Sequence, residues 1–173
     1  MMKFDCGWYV LYVKSCWEKK VHESLKEISL ESFLPQAKTI RQWSDRKKVI
    51  MKPLFPSYVF VYINSSLGFH KALSVNGAFS YIRFGKEYAR VQEKEINQIK
   101  FLIGNENVKG VEVTTERPKV GEIKKITYGP LEGLDCEVIK VSNVNKIIVR
   151  IDSLQQNIMA TVPLSILSES LIK

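Results

Sequence analysis

Pro53-Leu54-Phe55-Pro56-Ser57-Tyr58-Val59-Phe60-Val61-Tyr62-Ile63 is the stretch on which the fold turns. From Tyr58 to Ile63 the residues are aromatic or β-branched throughout, which reads as an apolar strand. Two prolines bracket Leu54-Phe55 ahead of it. Proline removes a ladder donor, so Pro53 to Pro56 is expected outside the sheet, holding Phe55 exposed at its margin.

On the N-terminal side, Lys38 to Trp43 and Lys47 to Met51 flank Ser44-Asp45-Arg46 and predict a hairpin. Further back, Trp8-Tyr9-Val10-Leu11-Tyr12-Val13 predicts a strand covered on both faces. Ser15 and Glu18 stand at capping-box spacing, so a helix is expected next. Its stripe is Trp17, Val21, Leu25 and Ile28, with His22 on the polar side and without a role. On the C-terminal side, Asn64-Ser65-Ser66 ends the strand and caps a short helix through Leu73. Ala78 to Phe84 predicts another strand, closed by Gly85, and Val91 to Ile103 a second amphipathic helix. The order predicts an α+β domain over 1–104: a mainly antiparallel sheet flanked by helices.

Residues 105–119 include Asn-Glu-Asn-Val-Lys-Gly and Thr-Thr-Glu-Arg-Pro-Lys, offer little to form a core, and are expected to be a linker. From Val120 the period shortens to that of strands. Glu122 to Tyr128, Leu134 to Val141, Lys146 to Ile151 and Asn157 to Val162 predict a small all-β barrel over 120–173.

Composition narrows the function. Hydrophobic residues make up 45% and charged residues 25% of 173, which excludes wholesale disorder. The net charge of +8 lies in one part: residues 1–104 hold 17 Lys and Arg against 9 Asp and Glu, and the remainder is balanced. An acidic partner for the first part is expected, either nucleic acid or an acidic protein surface. Cys6, Cys16 and Cys136 form no CxxC, no metal site is expected, and thiols in a reducing cytoplasm are the natural reading. The beginning lacks the apolar run of a signal peptide, and no stretch is long enough to span a bilayer, so no membrane partner is expected.

Three stretches, Trp8 to Lys14, Pro53 to Val61 and Ile82-Arg83-Phe84-Gly85, resemble in order and spacing the signatures of the NusG N-terminal domain. Gly121-Glu122 through Val138, with Gly129-Pro130-Leu131-Glu132-Gly133, resembles the KOW motif. Together they cover nearly the whole chain. The resemblance is nearer to specialised members such as RfaH and the UpxY antiterminators than to housekeeping NusG. One departure is Cys136, where the KOW motif usually has glycine; it implies either ordinary β geometry or a strained turn.

The resemblance implies a monomeric transcription elongation factor that binds RNA polymerase and suppresses pausing or termination. It implies an apolar cavity for the polymerase clamp helices, built from Tyr12, Leu54, Phe55, Pro56, Tyr58 and Phe84. For Tyr12, Tyr58 and Phe84 a core position is an equal alternative. Lys14, Arg41, Arg46, Lys47, Lys48 and Lys52 are expected to face nucleic-acid phosphates. By position, His70, Lys71 and Asn76 lie where specialised members read the non-template DNA strand, and Arg83 joins Lys71 as a phosphate contact. The KOW unit implies a ribosomal protein or Rho as partner, with Ile148, Leu154 and Ile158 either displayed or core. A ribosome- or RNA-binding KOW protein is the alternative function.

Catalysis and cofactors are not expected. His22 and His70 lack a nucleophile or carboxylate in a motif, and the glycine turn at 129–133 has no following Lys-Ser/Thr for a phosphate. A metal-dependent nuclease needs clustered carboxylates, and residues 1–104 offer only Asp5 and Asp45 as aspartates.

Overall fold

A computed structural model of the chain describes residues 5–114, 122–125, 135–141 and 144–162. The elements in the first part are β1 (Gly7–Val13), α1 (Glu18–Glu27), β2 (Ser32–Phe33), β3 (Gln36–Gln42), β4 (Lys47–Pro53), β5 (Tyr58–Ile63), α2 (Ser66–Leu73), β6 (Ala78–Tyr81), β7 (Arg83–Phe84), β8 (Glu87–Tyr88), β9 (Arg90–Val91) and α3 (Glu93–Gly104). Then follow β10 (Lys109–Thr114), β11 (Glu122–Lys125), β12 (Asp135–Val141), β13 (Val144–Ile151) and β14 (Gln156–Thr161). Two compact units emerge: Met1–Pro35 with Phe55–Ile96, and Gln36–Leu54 with Asn97–Lys173.

The first unit is built on a sheet in the order β2-β5-β1-β6, in which β1 also pairs β9. β5 runs antiparallel to β1 with Tyr12 opposite Tyr58, and β6 lies on the other side with Tyr12 opposite Ser80. Alternation along β1 sends Tyr9, Leu11 and Val13 to one face, where they join Val21 and Leu25 of α1 and Ala72 of α2 in the core. Trp8 and Val10 are buried as well, but Tyr12 is exposed, so β1 is not covered on both faces along its whole length.

Both early helices form, and their starts differ. Ser65 caps α2 by accepting from the Gly68 N–H at 3.1 Å, as its position predicts. The capping box expected from Ser15 is not made. Cys16 sits at φ 65°, Trp17 takes the cap position, and no side chain caps α1. With Cys16 in the left-handed region, the chain turns before the helix and Ser15 falls outside the cap geometry. The buried Glu18 carboxylate goes elsewhere, to the N–H of Ser57.

His22 is half-buried, with Nδ1 2.7 Å from Ser32 Oγ. Burial lowers its pKa, and Lys26 lowers it further against an opposing pull from Glu23. Below the ordinary histidine value of about 6.5 the unfolded chain therefore binds the proton more readily than the fold. Stability held above that pH is lost as pH falls through the lowered folded value. Urea midpoints taken at neutral and mildly acidic pH should fall further for the wild type than for His22→Gln.

In the second unit β3 and β4 form the expected hairpin, with Ile40 opposite Val49 and Arg41 opposite Lys48. A second sheet has the order β10-β14-β13-β12-β11, every adjacent pair antiparallel. Lys109–Thr114, inside the stretch expected to be a linker, is thus strand β10. Its backbone finds ladder partners on β14 despite the polar composition. Ile148, Leu154 and Ile158 are buried, so the core reading of these three is the correct one. Cys136 lies within β12 opposite Lys124, in ordinary strand geometry. The turn Gly129–Gly133 lies outside the described residues. No helix among the described residues is long and apolar enough to cross a membrane.

Candidate functional site

The turn between β4 and β5 decides which rings reach the surface. Ser57 adopts φ 63°, and both its backbone groups are held: Glu18 Oε1 accepts from its N–H at 2.8 Å, and its carbonyl accepts from the Val13 N–H at 2.8 Å. The Tyr58 N–H donates to the Phe55 carbonyl at 3.1 Å, closing the turn. Phe55 is carried inward by this geometry. It is 2% exposed and meets Phe60 edge to face at 5.5 Å. The expected exposure of Phe55 is therefore wrong. The prolines fix the local chain path, but the left-handed Ser57 and the apolar Phe60 decide which way the ring points. Leu54 is buried as well, while Pro56 is exposed.

The rings that do reach solvent form a row across three adjacent strands. Tyr12 on β1 is 43% exposed; its ring lies 6.5 Å from that of half-buried Tyr58 on β5 and 5.9 Å from that of Phe79 on β6. Phe79, 61% exposed, is absent from the sequence-derived candidates. Val13 pairs with Ala78 while Tyr12 pairs with Ser80, so Phe79 is the extra residue of a β-bulge. A bulge leaves one residue unpaired and can turn its side chain to a new direction. Nothing in the run Ala78 to Phe84 marks that position; only the pairing with β1 reveals it. Phe84 is 40% exposed in the separate β7–β8 ribbon.

Glu18 is a positioning residue for this row. Removing its carboxylate orphans the half-buried Ser57 N–H, at a cost of up to about 1–3 kcal/mol. Glu18→Ala is expected to lose that much stability in urea titration, and Glu18→Gln, which keeps a carbonyl acceptor, to lose less. Equal stability of all three forms would remove Glu18 from this role.

Gly77 supports the adjoining corner. Its carbonyl accepts from the Lys14 N–H at 2.8 Å, its φ is +95°, and a Cβ there would stand 2.8 Å from Trp17 Cε3. Lys14 and Lys20 in turn hold their Nζ atoms 4.4 and 4.1 Å from the Trp17 ring centre. Lys14 is thus exposed but engaged with an aromatic face. His70 and Lys71 are exposed in the last turn of α2, where positive charge suits the helix C-terminus, and Asn76 is exposed just before Gly77. Arg83 is exposed and tied to Tyr88, donating to its hydroxyl at 2.6 Å and covering its ring at 4.2 Å.

The remaining cations belong to the hairpin of the second unit. Arg41, Arg46, Lys47, Lys48 and Lys52 are all exposed. Arg41 and Lys48 face each other across the ribbon, an arrangement that costs stability unless an anion offsets it. On the other face of the ribbon, Ile40 and Val49 line an apolar hollow of about 440 Å³ with Leu102, Val108 and Val111. The sequence thus identified the hairpin cations as a group, and the structure keeps them together. Lys14, predicted with the hairpin cations, belongs to the first unit, as do His70, Lys71, Asn76 and Arg83 on α2, its following turn and β7.

The first unit, then, is a small α+β domain whose antiparallel sheet carries an exposed aromatic row. Residues 7–100 match the family described as "Transcription termination factor nusG", and the chain belongs to that family. It is accordingly a transcription factor by family, of the kind that acts in elongation and its regulation. Its fold is similar to that of a structure described as "Domain interaction in Thermotoga maritima NusG". That likeness has 24% identity and a TM-score of 0.55 over 93% of this chain and 95% of the other. A chain of the "MjSpt4:Spt5 complex conformation A" aligns at 13% identity over 91% of this chain and 94% of its own, with a TM-score of 0.33, too low to carry a conclusion.

Proposed function

We propose that the protein is an accessory subunit of elongating RNA polymerase that suppresses pausing or termination, specialised for particular operons. The observation that carries this reading is the row Tyr58–Tyr12–Phe79, which leaves two large rings exposed on an antiparallel sheet. Exposed aromatic rings on a firm scaffold give large contact area at low entropic cost and suit a protein partner. The occupant expected from the family resemblance is the tip of the polymerase clamp helices. Tyr12, Tyr58, Phe79 and Phe84 are the surface contacts in this reading, and buried Phe55 serves the fold of the turn that precedes Tyr58.

The hairpin cations supply attachment to nucleic-acid phosphate in the same complex. Binding alone performs the work: a ligand with higher affinity for the active than for the paused polymerase shifts that equilibrium by the difference. We further read residues 120–173 as a KOW-type unit whose sheet is extended by β10, and a ribosomal protein or Rho as its partner. Co-purification of the intact chain with RNA polymerase, and not with ribosomes, is the expected result. Co-sedimentation with ribosomes alone would favour the ribosome-binding alternative.

A further inference from the structure

The hairpin tip combines features that a simple phosphate clamp does not need. Trp43 immediately follows β3 and is 53% exposed, although tryptophan buries more apolar area than almost any other side chain. The tip is not loose around it, because the Trp43 N–H donates to the Arg46 carbonyl at 2.8 Å. Arg41, within β3 and two residues earlier, holds its guanidinium carbon 5.4 Å from the Trp43 ring centre. Arg46, Lys47 and Lys48 follow within five residues, and none of the four cations forms an ion pair among the described residues. An aromatic plate backed by arginine and ringed by positive charge matches the chemistry of an unpaired nucleic-acid base with its phosphates. The base offers a π-face to the indole, and its neighbouring phosphates meet the cations. A paired base fits less well, since an indole reaches it only by unstacking the duplex.

We propose that Trp43 is a stacking platform for an unpaired base of single-stranded nucleic acid, with Arg41 steadying the ring and Arg46, Lys47 and Lys48 holding the flanking phosphates. This deepens the reading of the hairpin as a nucleic-acid arm and rests on it; it does not depend on the aromatic row of the first unit.

Anisotropy titrations of the full chain with labelled oligothymidylate, oligouridylate and a blunt DNA duplex test it. Trp43→Ala is expected to weaken single-strand binding about tenfold, with Trp43→Phe retaining most of the affinity. Its slope of log affinity against log salt should match the wild type. Arg46→Gln with Lys47→Gln should instead lower that slope by about 1.4. Loss on only one of the two single-stranded probes would assign the strand as DNA or RNA within the same proposal. Unchanged affinity in Trp43→Ala overturns it; if the charge variant still weakens binding, the nucleic-acid arm survives without the stacking. An equal loss on the duplex overturns it in favour of a wedge. Unchanged oligonucleotide binding with reduced polymerase capture overturns it in favour of a protein contact.

Discussion

Tyr12→Ala is expected to weaken capture of RNA polymerase about 30-fold, the equivalent of the roughly 2 kcal/mol that a well-packed interfacial aromatic contributes. Tyr12 is the middle ring of the row, between Tyr58 and Phe79. Because its side chain is 43% exposed, its loss opens no buried cavity, and the effect on folding is confined to strand preference, about 1 kcal/mol. Phe79→Ala should behave alike. The rings of Tyr12 and Phe79 touch, so the double variant should lose less than the sum of the two. Tyr12→Phe keeps the contact area and should bind almost as the wild type does. Competition binding against immobilised polymerase measures all four. Wild-type affinity in the Tyr12→Ala, Phe79→Ala double variant would remove the aromatic row as the docking surface.

Phe55→Ala should do the opposite: destabilise the fold by about 3–5 kcal/mol with little direct effect on docking. Phe55 is buried, and its edge-to-face contact with Phe60 adds to what its burial contributes. Urea unfolding would show the loss as a lower midpoint with the slope preserved. At low temperature, where enough of the variant remains folded, its folded fraction should capture polymerase nearly as well as the wild type. Normal stability with abolished capture would mean that Phe55 touches the partner directly, against its burial. Tyr12 and Phe55 therefore separate docking from folding in a single pair of experiments.

The contrast also shows how far the sequence could be read. The strand over Trp8–Val13, the helix with Val21 and Leu25 on its buried side, the hairpin about residues 43–46 and the Ser65 cap were all legible. Each rests on spacing within a few residues. The cationic hairpin was legible for the same reason, since its charges are neighbours in the chain. Phe79 was not legible, because a bulge is a property of two strands in register and not of either alone. Glu18 was misread as half of a capping box, because its acceptor role depends on Ser57, 39 residues away.

What this amino-acid sequence determined alone was the order and kind of its elements, because periodicity, β-branching and turn chemistry act over one or two turns of chain. Only the tertiary structure decided which aromatic rings face water. Phe55 points in and Tyr12 points out because burial is set by how the chain turns and pairs, and the turn at Ser57 is held by Val13 and Glu18, both distant in the chain. The same held for Lys109–Thr114: too polar to announce a strand, the segment became one because β14 offered ladder partners to Lys109 and to Glu112, Val113 and Thr114.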